Sequence, residues 1–165
     1  MSHESVLAWL ADHAPDLPLI TVEQSTATVA EAAAALGVEP GRIAKTIAFR
    51  VGDRAMLVVA RGDARLDNQK TKAAFGGRPR MLDPAETLAL TGHAVGGVCP
   101  FGLATPMDVW CDRSLEAFDE VYPAAGSLNT SVRVAPDRLA ELVAKGWVDI
   151  CRLPEEPGPE ALRPA

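Results

Sequence analysis

Most of the features that announce chemistry are missing from this sequence. There is no Cys-x-x-Cys pair, and Cys99, Cys111 and Cys151 are odd in number and widely spaced, which suggests neither a disulfide framework nor a zinc site. His3, His13 and His93 lack metal-ligand spacing. No serine has nucleophile-elbow context and no phosphate-loop pattern occurs, so a catalytic triad is not in view. No apolar run approaches the roughly 20 residues needed to cross a bilayer. The start, Met-Ser-His-Glu-Ser, is acidic and unlike a signal peptide, which makes the cytoplasm the expected compartment. No internal repeat is present.

What remains is an ordinary globular composition in a chain of 165 residues, 48% of them hydrophobic, enough for one domain with a real core. The net charge of −6 argues against nucleic acid, but its distribution does not. Residues 42–80 hold ten basic residues against three acids, a net of +7, leaving −13 on the remainder. An acidic protein with one basic block can still hold a polyanion locally. A solvated hairpin and helix would carry the same charges.

Local signals divide the chain. Ser2 and the apolar spacing of Val6, Leu7 and Leu10 predict a helix over Glu4–Ala14, ended by Pro15 and Pro18. Leu19–Glu23 reads as a strand. Thr28 and Glu31 form a capping box for an alanine-rich helix stopping at Gly37. Ile43–Val51 and Ala55–Arg61 predict a hairpin about Gly52-Asp53. Asp67 caps a helix over Asn68–Phe75. Asp83, Pro84 and Glu86 start another that runs to Leu90. Strands are expected at Met107–Cys111, Glu120–Tyr122, Ser131–Val134 and Val148–Cys151, with a helix from Pro136 ended by Gly146. Asp108 and Asp112 read as solvated strand-end acids. From Pro154 the Pro- and Glu-rich tail is expected to be disordered. Hairpins with helices between them indicate α+β with a mixed or antiparallel sheet.

Two stretches could carry chemistry. Lys45 shares a strand face with Ile43 and Ile47, and a lysine on an apolar face must be paired, desolvated or at a cavity. At a cavity it could hold a carboxyl, a carbonyl or a phosphate. The second stretch is Gly96–Leu103, with three glycines and a proline in seven positions. Such a loop can bring backbone N–H groups close to a ligand oxygen while Phe101 anchors it, or it can be a tight crossover. No histidine stands in sequence where it would activate Cys99. Asn129, Thr130 and Ser131 beside Gly126 could line a pocket or form a turn.

Taken together, Arg42-Ile-Ala-Lys45-Thr46-Ile, Gly96-Gly-Val-Cys-Pro100-Phe-Gly102 and Ala125-Gly126 resemble the YbaK/ProX family of trans-acting aminoacyl-tRNA deacylases, related to the editing insertion of bacterial prolyl-tRNA synthetases. The likeness spans roughly Thr21 to Arg152. It implies a single α+β domain over 1–153 with a mixed, barrel-like sheet flanked by helices. It implies hydrolysis of the ester of mischarged tRNA, with no metal, no cofactor and no side-chain nucleophile.

Carried over by motif, Lys45, Gly96 and Pro100 are the expected catalytic positions. Thr46, Gly97, Val98, Cys99, Phe101, Gly102, Gly126, Asn129 and Ser131 are expected around the substrate. From the charge distribution, Arg61, Arg65, Lys70 and Lys72 are the expected tRNA contacts. The expected partners are the aminoacylated end of tRNA and an aminoacyl-tRNA synthetase, with neither DNA nor membrane. Many members have Ser at the position of Cys99, and some relatives have His after the pocket glycine where this chain has Ser127-Leu128-Asn129. The rival readings are a noncatalytic module of the same fold that binds aminoacyl-tRNA or a synthetase, and a small-molecule esterase.

Overall fold

In the computed structural model, which describes residues 2–154, a long hairpin sets the frame. The chain runs α1 (Ser2–His13), β1 (Leu19–Thr21), α2 (Val29–Leu36), a 3-10 turn at Pro40–Arg42, β2 (Ile43–Val51), β3 (Arg54–Arg61), β4 (Arg65–Leu66), α3 (Asn68–Phe75), β5 (Arg80–Met81) and α4 (Pro84–Thr91). It continues with β6 (Asp108–Asp112), a 3-10 turn at Arg113–Ala117, β7 (Tyr122–Pro123), β8 (Thr130–Val132), α5 (Pro136–Val143), β9 (Gly146–Val148) and β10 (Cys151–Arg152). The main sheet has the order β5-β2-β3-β6-β9, with β7 also on β2. β2 pairs antiparallel with β3 and β5, whereas β7, β6 and β9 join in parallel. The expected mixed sheet is therefore present, and it stays open rather than closing into a barrel. β1 with β8 and β4 with β10 form two short antiparallel pairs.

The two faces of the hairpin bury different cores, as the two-residue alternation of a strand requires. Ala44, Ala48, Leu57 and Val59 pack with Val6 and Leu10 of α1, Phe101, Leu115 and Leu139. Phe49, Val51, Met56, Val58 and Ala60 pack with Ile150, Cys151 and the rings of Phe75 and Trp110. The alanine-rich α2 is held by Ala32 and Ala33 against Ile43.

The helix starts follow their caps. Thr28, Asp67 and Asp83 each accept a bond from the backbone N–H three residues on, and Asp83 with Glu86 forms a reciprocal box. α1 begins at Ser2, two residues earlier than its sequence suggests.

Three expectations need correction. Gly146 does not end α5; the helix stops at Ala144, and Lys145 N–H donates to Val109 O at 2.7 Å, drawing Gly146–Val148 into the sheet beside β6. The strand expected at Val148–Cys151 is divided, because β9 and β10 belong to different sheets. Asp112 is not a solvated strand end: it is 1% exposed. Its Oδ1 accepts from Ile150 N–H at 2.8 Å and its Oδ2 from Ser114 N–H at 3.0 Å. The tail expectation, beyond Pro154, lies outside the described residues.

Candidate functional site

The site lies where β2 loses its neighbours. On its outer edge β2 is paired with β7 at Ile43–Ala44 and with β5 at Phe49–Arg50. Leu82 N–H reaches Ala48 O at 3.1 Å from the β5 side. N–H and C=O of one residue face the same edge, and the direction alternates along a strand. Thr46, two residues before Ala48, therefore turns its backbone polar groups into the gap between β7 and β5. A pocket of about 340 Å³ opens there. Its walls come from β2, from Thr26–Val29 and Ala32, from Leu82 and Thr87, from the loop residues Val95, Gly96 and Val98, and from Tyr122, Ala124 and Ser131.

Lys45 is half-buried on this strand, and its ammonium donates to the backbone oxygen of Ala64. Burial lowers its pKa below the ordinary lysine value, with Arg65 acting in the same direction and Asp63 and Cys151 against it. Asp63 is held by Arg61, at 2.6 and 2.8 Å to its two oxygens. Among the described residues no carboxylate makes an ion pair with Lys45. An ammonium has three N–H donors; this one has a carbonyl for one of them and a pocket beside it.

The Gly96–Leu103 loop forms the opposite wall. Gly97 N–H closes a turn onto Ala94 O at 2.9 Å, leaving Gly96 and Val98 against the pocket. Gly96 has φ +97°, and a Cβ there would stand 3.2 Å from Leu128 Cδ2, so both conformation and space call for glycine. Behind the wall, Phe101 is fully buried against Trp9 at a ring-centroid distance of 5.3 Å. Gly102, at φ +59°, backs onto α1, where a Cβ would lie 2.7 Å from Ser5 O.

His93 and Cys99 meet in that buried layer, with Nε2 3.6 Å from Sγ. The sequence alone gave no sign of this pair. The same Nε2 lies 2.8 Å from Phe101 O and must carry its proton to donate there. It is thus a donor and not a base toward the thiol. Burial pushes the Cys99 thiol up to about 12 and holds the His93 pKa below its usual value.

Of the expected site residues, Lys45, Thr46, Gly96, Val98 and Ser131 come together around the pocket. Gly97 packs on the backbone of Gly126 and Ser127. Cys99 and Phe101 lie in the layer beneath. Asn129 shapes the turn, its Nδ2 donating to Val22 O at 3.1 Å. Pro100 and Gly102 line a separate cleft with Trp9, Leu103 and Met107. Of the four expected tRNA contacts, Arg65 and Lys72 are exposed. Arg61 is engaged with Asp63 and lies 4.8 Å over the Phe118 ring. Lys70 donates to Asp149 and to Cys151 O at 3.2 and 2.9 Å. No group of three His, Cys, Asp or Glu side chains gathers as metal ligands among the described residues.

Sequence reasoning missed Thr26. It sits in the loop before the α2 cap, its N–H donates to Leu128 O at 2.6 Å, and it lines the pocket. Its hydroxyl and that of Thr46 are buried with no hydrogen-bond partner among the described residues. Each such group costs about 1–3 kcal/mol. A threonine two residues ahead of a helix cap was the only available signal.

Comparison with known proteins identifies relatives of this chain and of its fold. The profile of the aminoacyl-tRNA editing domain matches residues 23–142. The chain belongs to the aminoacyl-tRNA editing domain family. It is 48% identical over 132 residues to the uncharacterized protein YwhH of Bacillus subtilis (strain 168), covering 79% of this chain and 84% of that one. It is also related to proline–tRNA ligases: 27% identity to that of Lysinibacillus sphaericus (strain C3-41) covers 81% of this chain but 24% of the ligase. A solved structure described as a proposed trans-editing enzyme for prolyl-tRNA synthetase superposes with a TM-score of 0.83 at 34% identity, covering 92% of this chain and 97% of that one. Among the described residues no helix is long and apolar enough to cross a membrane.

Proposed function

We propose that the protein hydrolyses, in trans, the ester that joins a wrong amino acid to the terminal adenosine of a tRNA. The observation that carries this reading is Lys45 on β2 where the strand's outer edge is open, lining a pocket whose other wall is the Gly96–Val98 loop. Water adds to the ester carbonyl carbon, negative charge develops on the carbonyl oxygen, the bond to the ribose oxygen breaks, and that oxygen takes a proton. The protein has to stabilise the developing oxyanion and hold the ester in place. Lys45 supplies a point charge within the site, and backbone N–H groups of Thr46 and of the loop at Gly96 and Val98 supply directional donors. Neither a metal nor a side-chain nucleophile is needed, and the burial of Cys99 fits its role in supporting the loop.

The basic segment contributes β2 itself, so the pocket opens within the part of the chain that nets +7. Phosphates of the acceptor stem would lie along it, with Arg65 and Lys72 presented to solvent, fixing position without reading sequence. Relatives among proline–tRNA ligases favour a tRNA substrate over a small-molecule ester.

A panel of tRNAs charged with non-cognate amino acids, incubated with purified protein, tests the reading. Release of at least one amino acid well above the spontaneous rate is expected. Binding of aminoacyl-tRNA without release would instead identify a noncatalytic module, and hydrolysis of simple esters alone a small-molecule esterase.

A further inference from the structure

We propose that the pocket selects an aminoacyl group bearing a side-chain hydroxyl, and that Thr26 and Thr46 are the residues that read it. The inference rests on the deacylase reading and adds a substrate class to it.

Among the described residues, four other buried threonine hydroxyls are satisfied. Thr71, Thr87 and Thr91 each donate to the carbonyl four residues back, at 2.8, 2.9 and 2.6 Å. Thr130 bonds the Ser127 hydroxyl at 2.6 Å. Against that background, two threonine hydroxyls are buried without a partner among the described residues, and both belong to the walls of one pocket. Thr26 is 7% exposed, so bulk water does not serve it. Arg50 Nε and Trp110 Nε1 are also buried without a partner among the described residues, but neither lines this pocket, whereas the two threonine hydroxyls stand where a ligand can complete them.

The surroundings sharpen the choice. The rest of the wall is largely aliphatic, with Val29, Ala32, Ala48, Leu82 and Val98. A carboxylate or an ammonium on the substrate side chain would be desolvated there without an opposite charge, apart from Lys45. Thr46 and Lys45 are neighbours on one strand and point to opposite faces. An ester held at the strand edge near Lys45 would leave its side chain free to extend to the threonine face. A neutral hydroxyl, which both donates and accepts, suits two hydroxyl partners.

Threonine against valine is the decisive comparison, because the two side chains share a shape and differ in the hydroxyl. A hydrophobic pocket separates such a pair weakly, whereas a site that leaves its own polar groups unpaired rejects the apolar analogue strongly. The expected preference in kcat/KM is about 10- to 100-fold for threonyl- over valyl-tRNA, and likewise for seryl- over alanyl-tRNA, the effect of leaving a buried hydroxyl unpaired in the complex with the apolar ester.

The experiment measures deacylation of these four esters on one tRNA by the wild-type protein and by Thr26→Val, Thr46→Val and the double variant. Selectivity near unity in the double variant supports the inference. So does a raised Tm in each single variant, since each removes an unpartnered buried hydroxyl. Equal wild-type rates for threonyl and valyl esters would overturn it while leaving the deacylase reading intact. A double variant that keeps the wild-type ratio would overturn it as well. If no ester is cleaved, the deacylase reading fails. Affinities for the non-hydrolysable 3′-amide analogues of threonyl- and valyl-adenosine then decide: a tighter threonyl analogue supports the hydroxyl-reading pocket, and equal affinities overturn it.

Discussion

Lys45→Met separates the chemistry of this lysine from its structural contribution. Methionine keeps an unbranched stem of similar length, so packing along β2 is retained while the ammonium is lost. Two terms then oppose each other in stability. The variant forfeits a charged hydrogen bond to the Ala64 carbonyl, worth about 1.5–3 kcal/mol. It also escapes the cost of holding a cation in a half-buried position, which is of similar size. The net change is expected within about 1 kcal/mol, or about 2–4 °C in Tm for a domain of this length.

The sign with pH follows from the lowered pKa. Between the folded value and the ordinary 10.5 the unfolded chain binds more protons, so wild-type stability rises with pH across that window. The burial penalty is fully present below the folded pKa. The advantage of methionine is therefore greatest near neutrality and shrinks as pH climbs toward 10.5. Activity behaves differently. Loss of a donor to a developing oxyanion costs about 10²–10³ in rate, so single-turnover hydrolysis of a mischarged tRNA should fall about 100-fold or more. A folded variant within threefold of wild type would remove Lys45 from the mechanism. A Tm loss beyond about 10 °C would make it chiefly a structural residue.

Three other outcomes are expected. Cys99→Ser should keep most of the hydrolytic activity, since the thiol is fully buried and pushed up to about 12, and the His93 Nε2 beside it is a donor rather than a base; a trapped acyl-enzyme at Cys99 would refute this. Asp112→Ala should lower stability by about 3 kcal/mol, read by urea melts, because the Ser114 and Ile150 N–H groups both lose a charged acceptor; a change under 1 kcal/mol would show that these groups find other partners. Arg65→Gln with Lys72→Gln should weaken binding to all tRNAs and make the slope of log affinity against log salt shallower by about 1–2, as fewer counterions are released; unchanged slopes would place the RNA elsewhere.

What the sequence determined by itself is what neighbours in the chain decide. Asp67, the Asp83-Pro84-Glu86 start and the turn at Gly52-Asp53 act within a few residues, and the helices and hairpin they specify stand where the local signals put them. The family resemblance was legible for a related reason: Lys45-Thr46 and Gly96–Gly102 are short, unbroken motifs. Tertiary structure alone decided what joins distant segments. Gly146 reads locally as a helix stop, yet Lys145 bonds to Val109 and the chain becomes a parallel strand. Asp112 reads as a solvated acid until Ile150, 38 residues later, places an N–H against it. The pairing of His93 with Cys99 depends on how the loop turns back through Phe101. The pocket itself exists because β7 and β5, far apart in sequence, cover the two ends of β2 and leave Thr46 between them. No spacing rule encodes such a gap, and for that reason Thr26, which lines it from another loop, could not be found from the sequence.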